Sequence, residues 1–195
     1  MTPYHFLDIL SRAAKLKTTP RHCFTEEKRR ESVADHSWRT ALMAMLLSGE
    51  AEFQGADMNK VIRMCLIHDL GETFTGDIPT FEKTDTDAAG EDALFLDWVR
   101  TFPEKQREEW LELLEEMGKL ETEEAKIYKA LDKLEAVISH NESDISTWLP
   151  LEYDLQMTYG KENVQFSEYL RELSGCIDKW TMRKIAAAGS GSGEA

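Results

Sequence analysis

The chain has 195 residues, of which 42% are hydrophobic and 31% charged, enough for one domain, or two small ones, with a sizeable core. Its formal net charge of −14 argues against nucleic acid and anionic membrane surfaces as partners, because both attract clustered lysine and arginine. No apolar run approaches the roughly 18 residues of a membrane span. The start MTPYHFLDIL is unlike a secretory signal, and three widely spaced cysteines make a poor disulfide framework. We therefore expect a reduced, cytoplasmic protein.

Helical spacing of apolar residues dominates the N-terminal half. It predicts a first helix over residues 6–13 and a second over residues 38–53. Ser32 and Asp35 have the spacing of a capping box and mark the approach to the second helix. A third helix is expected over residues 61–70, after Asp57 and before Gly71.

The C-terminal half is also predicted to be helical. Two amphipathic helices with acidic outer faces are expected between residues 83 and 126, and apolar stripes predict two more around residues 127–138 and 164–180. No strand-like alternation of useful length occurs. We therefore predict one all-α domain over residues 1–187. Residues 188–195, rich in Gly and Ser, are expected to be a flexible tail, either a linker or a cloning scar.

Chemistry is suggested first by His68 and Asp69 at the end of the apolar third helix. Burying such an ionisable pair is costly unless it is neutralised, and a divalent metal can do this through imidazole nitrogen and carboxylate oxygen. The alternative is a structural histidine that favours the negative end of a helix dipole. His36 at the start of the preceding helix and Asp132 in a later apolar segment favour the metal site.

Glu72 follows His68 by four residues, so its carboxylate would share a side with the pair if the helix continued through Gly71. A carboxylate beside a metal is a usual proton-transfer group. The other histidines look less informative. His5 and His140 are expected at the surface or in caps, and His22 in a loop.

The order His36, His68-Asp69, Asp132 resembles the HD-domain metal-dependent phosphohydrolase superfamily. Three blocks carry a closer resemblance to its branch of bacterial 5'-deoxynucleotidases: ESVADHSWR at 31–39, IHDLGE at 67–72 and GDIP at 76–79. The resemblance spans roughly residues 5–180. It implies a single-domain helical HD fold.

The resemblance also implies roles for individual residues. It makes His36, His68, Asp69 and Asp132 the metal ligands. Glu72 and Asp77 are the expected catalytic residues, with Asp77 orienting the attacking water. Arg21 is expected to bind the substrate phosphate, and Lys83 or Arg39 can add positive charge.

Differences between this sequence and the motifs of related HD-domain enzymes reduce the number of substrate classes to expect. Arg21 is followed by His22, where some deoxynucleotidases of the branch have tryptophan, so the role of His22 is left open. No histidine lies between 68 and 132, which favours one metal ion over two. The Gly-Tyr-Pro signature of cyclic-dinucleotide phosphodiesterases is absent, and Thr73 stands where alarmone hydrolases have a second acid. A small mononucleotide is therefore expected.

The sequence thus predicts an enzyme that removes the 5'-phosphate from nucleoside monophosphates, with the deoxy forms favoured. One divalent ion is expected, Mn²⁺ or Co²⁺ first, with Fe²⁺, Ni²⁺ or Mg²⁺ also compatible with nitrogen and oxygen donors. Two alternatives stay open: hydrolysis of a nucleotide triphosphate or cyclic nucleotide, and a non-catalytic, metal-stabilised regulatory module. Aromatic residues in the C-terminal helices also allow a homodimer.

Overall fold

The computed structural model describes residues 1–25 and 29–191, and over these residues it is a bundle of nine α-helices with one small sheet. The all-α, single-domain prediction is confirmed. The helices are α1 Pro3–Ala13, α2 Val33–Leu47, α3 Met58–Ile67, α4 Glu72–Thr75, α5 Asp85–Arg100, α6 Glu104–Lys119, α7 Glu123–Glu142, α8 Glu152–Thr158 and α9 Glu168–Gly191.

The main difference from the sequence prediction lies before α2. Strands β1 (Pro20–Phe24) and β2 (Arg30–Ser32) form an antiparallel pair in which Pro20 is opposite Ser32. The loop predicted around Arg21 and His22 was therefore wrong. Strands this short carry little alternation, and these two polar residues face a cavity rather than solvent, which hides the pattern from the sequence.

Helix ends differ from the predicted ends by a few residues. Helix α2 ends at Leu47, and the predicted continuation is a separate 3₁₀ turn, Ala51–Phe53. Helix α3 ends at Ile67 instead of Leu70. The short helix α8 was not predicted, because its inward residues Glu152 and Gln156 are polar and give no apolar stripe.

The predicted boundary between domain and tail falls inside α9. This helix continues through residues 186–188, which are alanines and favour helix, and ends at Gly191. Residues 192–195 of the predicted tail lie outside the described residues. Across the described part of the chain, the structure contains no helix with both the length and the apolar character needed to cross a membrane.

The capping box predicted at the start of α2 is present. Ser32 Oγ accepts from the Asp35 amide at 3.2 Å, and the Ser32 amide donates to Asp35 Oδ2 at 2.8 Å. Together the two bonds satisfy donors that a helix start leaves without an intrahelical partner. The next residue, His36, is thereby held in the first turns of α2.

Helices α2, α3 and α7 pack against one another and form the centre of the core. Ala44, Val61, Met64 and Leu131 are fully buried between them. Burial of a side chain the size of leucine or methionine contributes about 1.5–3 kcal/mol. This packing brings the start of α2, the end of α3 and the middle of α7 to one place, where the predicted ligands lie.

Candidate metal centre and cavity

Four side chains converge, one each from helices α2 and α7 and two from the turn after α3. His36 Nε2 lies 3.2 Å from His68 Nε2, 3.6 Å from Asp69 Oδ2 and 3.4 Å from Asp132 Oδ1. His68 Nε2 lies 3.1 Å from Asp69 Oδ2 and 3.7 Å from Asp132 Oδ1. Atoms bound at about 2.1 Å to one first-row ion lie about 3–3.5 Å apart, so these spacings fit a shared cation.

The hydrogen bonds behind the two histidines fix which nitrogen faces the centre. His68 Nδ1 donates to the Cys65 carbonyl at 2.8 Å, and His36 Nδ1 contacts Glu135 Oε2. A neutral imidazole that donates through Nδ1 carries a lone pair on Nε2. The Nε2 lone pairs of His36 and His68 would then face each other and the carboxylates of Asp69 and Asp132. A positive ion between these groups stabilises the arrangement. The donor set therefore fits a divalent cation.

The electrostatics of the cluster show the same demand for positive charge. Burial opposes ionisation of Asp69, but the His68 imidazole beside it lowers the pKa of that carboxyl far below its usual range. Asp132 is likewise buried, and Lys129 and Lys133 hold its pKa well below normal. Both acids are thus carboxylates at neutral pH. Burial would lower the pKa of His68, yet Asp69 and Asp132 raise it to about 10.

A carboxylate that the sequence analysis missed supports His36 from behind. Glu135 is fully buried, and its Oε1 accepts from Arg39 Nε at 2.6 Å and from the Ser139 hydroxyl at 2.9 Å. Burial raises the pKa of Glu135, but His36 outweighs this and lowers it to about 2. The signal was available, since Asp132, Glu135 and Ser139 share one face of α7 at helical spacing.

The role predicted for Arg39 beside the substrate is wrong. Its guanidinium is engaged by Glu135, Glu142 and the Ser139 hydroxyl, and it does not line the cavity described next. Arg39 lies on the side of α2 that faces Glu135, Ser139 and Glu142. The short separation between Arg39 and His36 in the sequence does not show on which side of α2 the Arg39 side chain lies.

A cavity of about 290 Å³ opens beside the cluster and contains both predicted catalytic acids. Helix α3 ends before Gly71, so the condition under which Glu72 would share a side with His68 and Asp69 is not met. A tight turn starts α4 at Glu72 and still directs this side chain to the cavity wall. Gly76 ends α4 with φ of 80°, a conformation that favours glycine, and the chain then turns so that Asp77 also lines the cavity.

Glu72 and Asp77 differ from the ligand acids in their proton affinity. Glu72 is 6% exposed, and its Oε2 is buried with no hydrogen-bond partner. Burial, reinforced by the charges of Asp69 and Asp77, raises the pKa of Glu72 to about 10. Burial also raises the pKa of Asp77, although Arg21 partly opposes it. Burial thus favours the protonated form of Glu72, whereas the neighbours of Asp69 favour its ionised form.

Four basic side chains balance this negative charge along the cavity wall. Arg21 lies as predicted, with Nε 3.1 Å from Glu31 Oε2 and Nη1 3.7 Å from Asp69 Oδ2. Lys83 also lines the wall, but its Nζ is paired with Glu91 at 2.9 Å.

The other two basic residues, Lys129 and Lys133, were not predicted. Their Nζ atoms lie 2.9 Å and 3.6 Å from Asp132 Oδ2. Their spacing relative to Asp132 on α7 was visible in the sequence, but it resembled an ordinary solvated helix face. Both lysines line the cavity, so they add positive charge beside the histidine–aspartate cluster.

His140 differs from its predicted position at the surface or in a cap. It lines the cavity, and its Nε2 lies 2.8 Å from Glu152 Oε1. His22 reaches the same carboxylate oxygen at 3.2 Å from strand β1. Burial against β1 and α8, which the sequence did not reveal, accounts for the difference.

Comparisons with known proteins agree with this geometry. The profile of the HD domain family matches residues 13–174. The 5'-deoxynucleotidase HDDC2 of Homo sapiens is 31% identical over 141 residues, covering 70% of this chain and 67% of the human protein. The 5'-deoxynucleotidase hdd1 of Schizosaccharomyces pombe is 31% identical over 140 residues, covering 68% and 67%.

Solved structures show the same architecture. A crystal structure named as a predicted metal-dependent phosphohydrolase from Magnetospirillum magnetotacticum MS-1 aligns with a TM-score of 0.77, at 26% identity over 93% of both chains. A conserved hypothetical protein from Pyrococcus furiosus aligns with a TM-score of 0.68, at 31% identity over 89% of this chain and 99% of that one.

Fold and site together define a helical protein with a buried histidine–aspartate centre at the edge of a cavity. The family match covers most of the sequence and includes all four converging side chains. The chain belongs to the HD domain family.

We expect Glu135→Gln to weaken binding of a divalent metal by about 10–100-fold, because the neutral amide no longer holds the His36 ring as a carboxylate does. Titration with Mn²⁺ or Co²⁺ measures this. Glu142→Gln is the matched control, since Glu142 also pairs with Arg39 but does not contact His36. Equal affinity in the two variants would contradict a supporting role for Glu135.

Proposed function

We propose that this HD-domain protein is a metal-dependent phosphohydrolase that removes the 5'-phosphate from nucleoside monophosphates, with deoxyribonucleotides as the preferred class. One observation carries the proposal: the two carboxylates of the histidine–aspartate cluster, the buried Glu72 carboxyl and several basic side chains line one cavity. The relatives named 5'-deoxynucleotidases support the substrate class.

In this proposal His36, His68, Asp69 and Asp132 bind the divalent ion. Two nitrogen and two oxygen donors favour Mn²⁺ or Co²⁺, and Fe²⁺ or Ni²⁺ are compatible, whereas Mg²⁺ prefers oxygen alone. When bound, the ion lowers the pKa of a coordinated water and polarises a phosphate oxygen. The other steps belong to side chains of the chain itself.

Basic side chains of the cavity bind and orient the phosphate. The Arg21 guanidinium is held in place by Glu31, stays protonated and presents planar donors suited to phosphate oxygens. Lys129 and Lys133 add positive charge from α7, and Lys83 adds it from the loop before α5. These groups offset the repulsion between a phosphate dianion and a protein of net charge −14.

Glu72 acts as the general acid in this proposal. Burial beside other acids raises the pKa of its carboxyl, which favours the protonated form that can pass a proton to the leaving 5'-oxygen. Asp77 lies on the same cavity wall and orients the attacking water through its carboxyl oxygens. A structural metal site requires neither acid, so their presence in the cavity favours an enzyme over a regulatory module.

The size of the cavity favours a small substrate. Its volume of about 290 Å³ is at the lower end of the range of about 300–1,000 Å³ usual for small-molecule sites. A mononucleotide is therefore favoured over a larger cyclic dinucleotide. The homodimer and the cytoplasmic location stay predictions from the sequence.

We expect Asp69→Ala to lose activity together with the ion held by His36, His68, Asp69 and Asp132, because it removes a ligand of that site. Glu72→Gln should retain metal and lower kcat by about 10²–10⁴-fold, since an amide cannot donate the proton. The assay is phosphate release from a panel of ribo- and deoxyribonucleoside 5'-monophosphates with Mn²⁺, Co²⁺ or Mg²⁺. Glu115→Gln, the same substitution at an exposed position of α6, is the matched control.

Two results would contradict the proposal. Wild-type protein that holds metal but releases no phosphate from any mononucleotide would exclude the activity. Equal rates in wild type and Glu72→Gln would exclude the role of Glu72.

The pH dependence of kcat separates a general acid from a general base. The acid contributes while Glu72 is protonated and is lost as the pH rises through its pKa. Because a bound cation lowers that pKa, we expect kcat to fall at or below about pH 10. Glu72→Gln should lack this alkaline limb. A rate that instead rises with pH through a group removed by the substitution would identify Glu72 as a base.

A further inference from the structure

A second group of metal-type donors lies along the same cavity, outside the cluster described above. His22 comes from β1, His140 from α7 and Glu152 from the first residue of α8. One ligand atom from each residue lies within 4.8 Å of the other two. All three side chains line the cavity.

The hydrogen bonding of His140 directs its Nε2 atom at Glu152. His140 Nδ1 faces the Ala136 carbonyl at 3.0 Å, so Nδ1 carries the hydrogen. Nε2 then points at Glu152 Oε1 at 2.8 Å. Either a proton on Nε2 or a metal ion satisfies both atoms, so this pair presents one nitrogen and one oxygen donor to a cation.

His22 places a second nitrogen against the same oxygen. Its Nε2 lies 3.2 Å from Glu152 Oε1, but the atom is buried and forms no hydrogen bond in this geometry. At the first cluster His36 and His68 face Asp69 Oδ2 at 3.6 Å and 3.1 Å, so the contacts at Glu152 are on average shorter. In both groups two imidazole nitrogens face one carboxylate oxygen.

Neighbouring groups hold the three side chains in place. Glu152 Oε2 accepts from the Leu149 amide at 2.6 Å, which leaves Oε1 free to face the histidines. The His22 ring packs edge-on against Phe81 with centroids 5.4 Å apart. Such fixed orientation from outside the ligand set is what metal sites in proteins commonly show.

We propose that His22, His140 and Glu152 bind a second divalent cation, of the borderline class to which Zn²⁺ belongs. Two imidazoles and one carboxylate are a donor set that zinc accepts, and three protein ligands leave a coordination position open. That position faces the cavity, where water or a donor atom of a bound molecule completes it. The sequence argument for a single ion concerned only residues 68–132, and both histidines lie outside that interval.

The test counts Zn²⁺ per chain after equilibrium dialysis of the full-length protein, by atomic emission. We expect two ions per chain in wild type and one in each of His22→Ala and His140→Ala. His5→Ala is the matched control, because His5 is an exposed histidine on α1, and it should retain two. Circular dichroism and thermal unfolding establish that each variant is folded, and His22→Ala changes only a partly exposed side chain on a short strand.

One ion per chain in wild type would overturn the proposal, as would two ions in both His22→Ala and His140→Ala. Asp69→Ala keeps this outcome separate from the proposed enzymatic function. If the second site exists, Asp69→Ala retains an ion that is lost on combining it with His140→Ala. The ion count does not depend on activity. A protein that binds two ions but releases no phosphate would therefore contradict only the proposed function. A protein that releases phosphate with one ion per chain would contradict only the second site.

Discussion

Two imidazole nitrogens and two carboxylate oxygens, all facing one point inside a helical bundle, are the constraint on which this structure depends. Such a group is unstable without a positive charge, because its lone pairs repel and burial removes the water that would solvate them. The packing of α2, α3 and α7 nevertheless forces the four side chains together. The core therefore has two roles, since it stabilises the fold and maintains an arrangement that a divalent ion satisfies.

The carboxyl groups near this point divide into two kinds. Asp69 and Asp132 have positive neighbours and stay ionised, as ligands must. Glu72 is buried beside carboxylates, which raises its pKa. Environments that shift pKa values of the same chemical group in opposite directions are the usual way in which a site assigns separate roles to its acids. The buried position of Glu72 after a break in the helix, and not its residue type, raises its proton affinity.

Much of this could be predicted from sequence because the signals are local. The Ser32–Asp35 capping box, and the His68-Asp69 pair at the end of an apolar helix, each depend on residues close in the chain. The convergence of these residues with Asp132 came from resemblance to a family, since spacing alone does not bring distant helices together.

The features that were missed depend on tertiary contacts. Glu135 is a ligand support only because α2 places His36 against α7, and as a sequence feature it is one acid among 37 acidic residues. His140 was expected at the surface because nothing local shows that β1 and α8 cover it. The direction of the Arg39 side chain depends on its contacts with α7, which the sequence does not show.

Anomalous X-ray diffraction from crystals of the Mn²⁺-loaded protein tests the central claim most directly. The account predicts a strong anomalous peak within bonding distance of His36 Nε2, His68 Nε2, Asp69 and Asp132. An ordered protein without a peak between these four side chains, or with manganese bound only elsewhere, would contradict it.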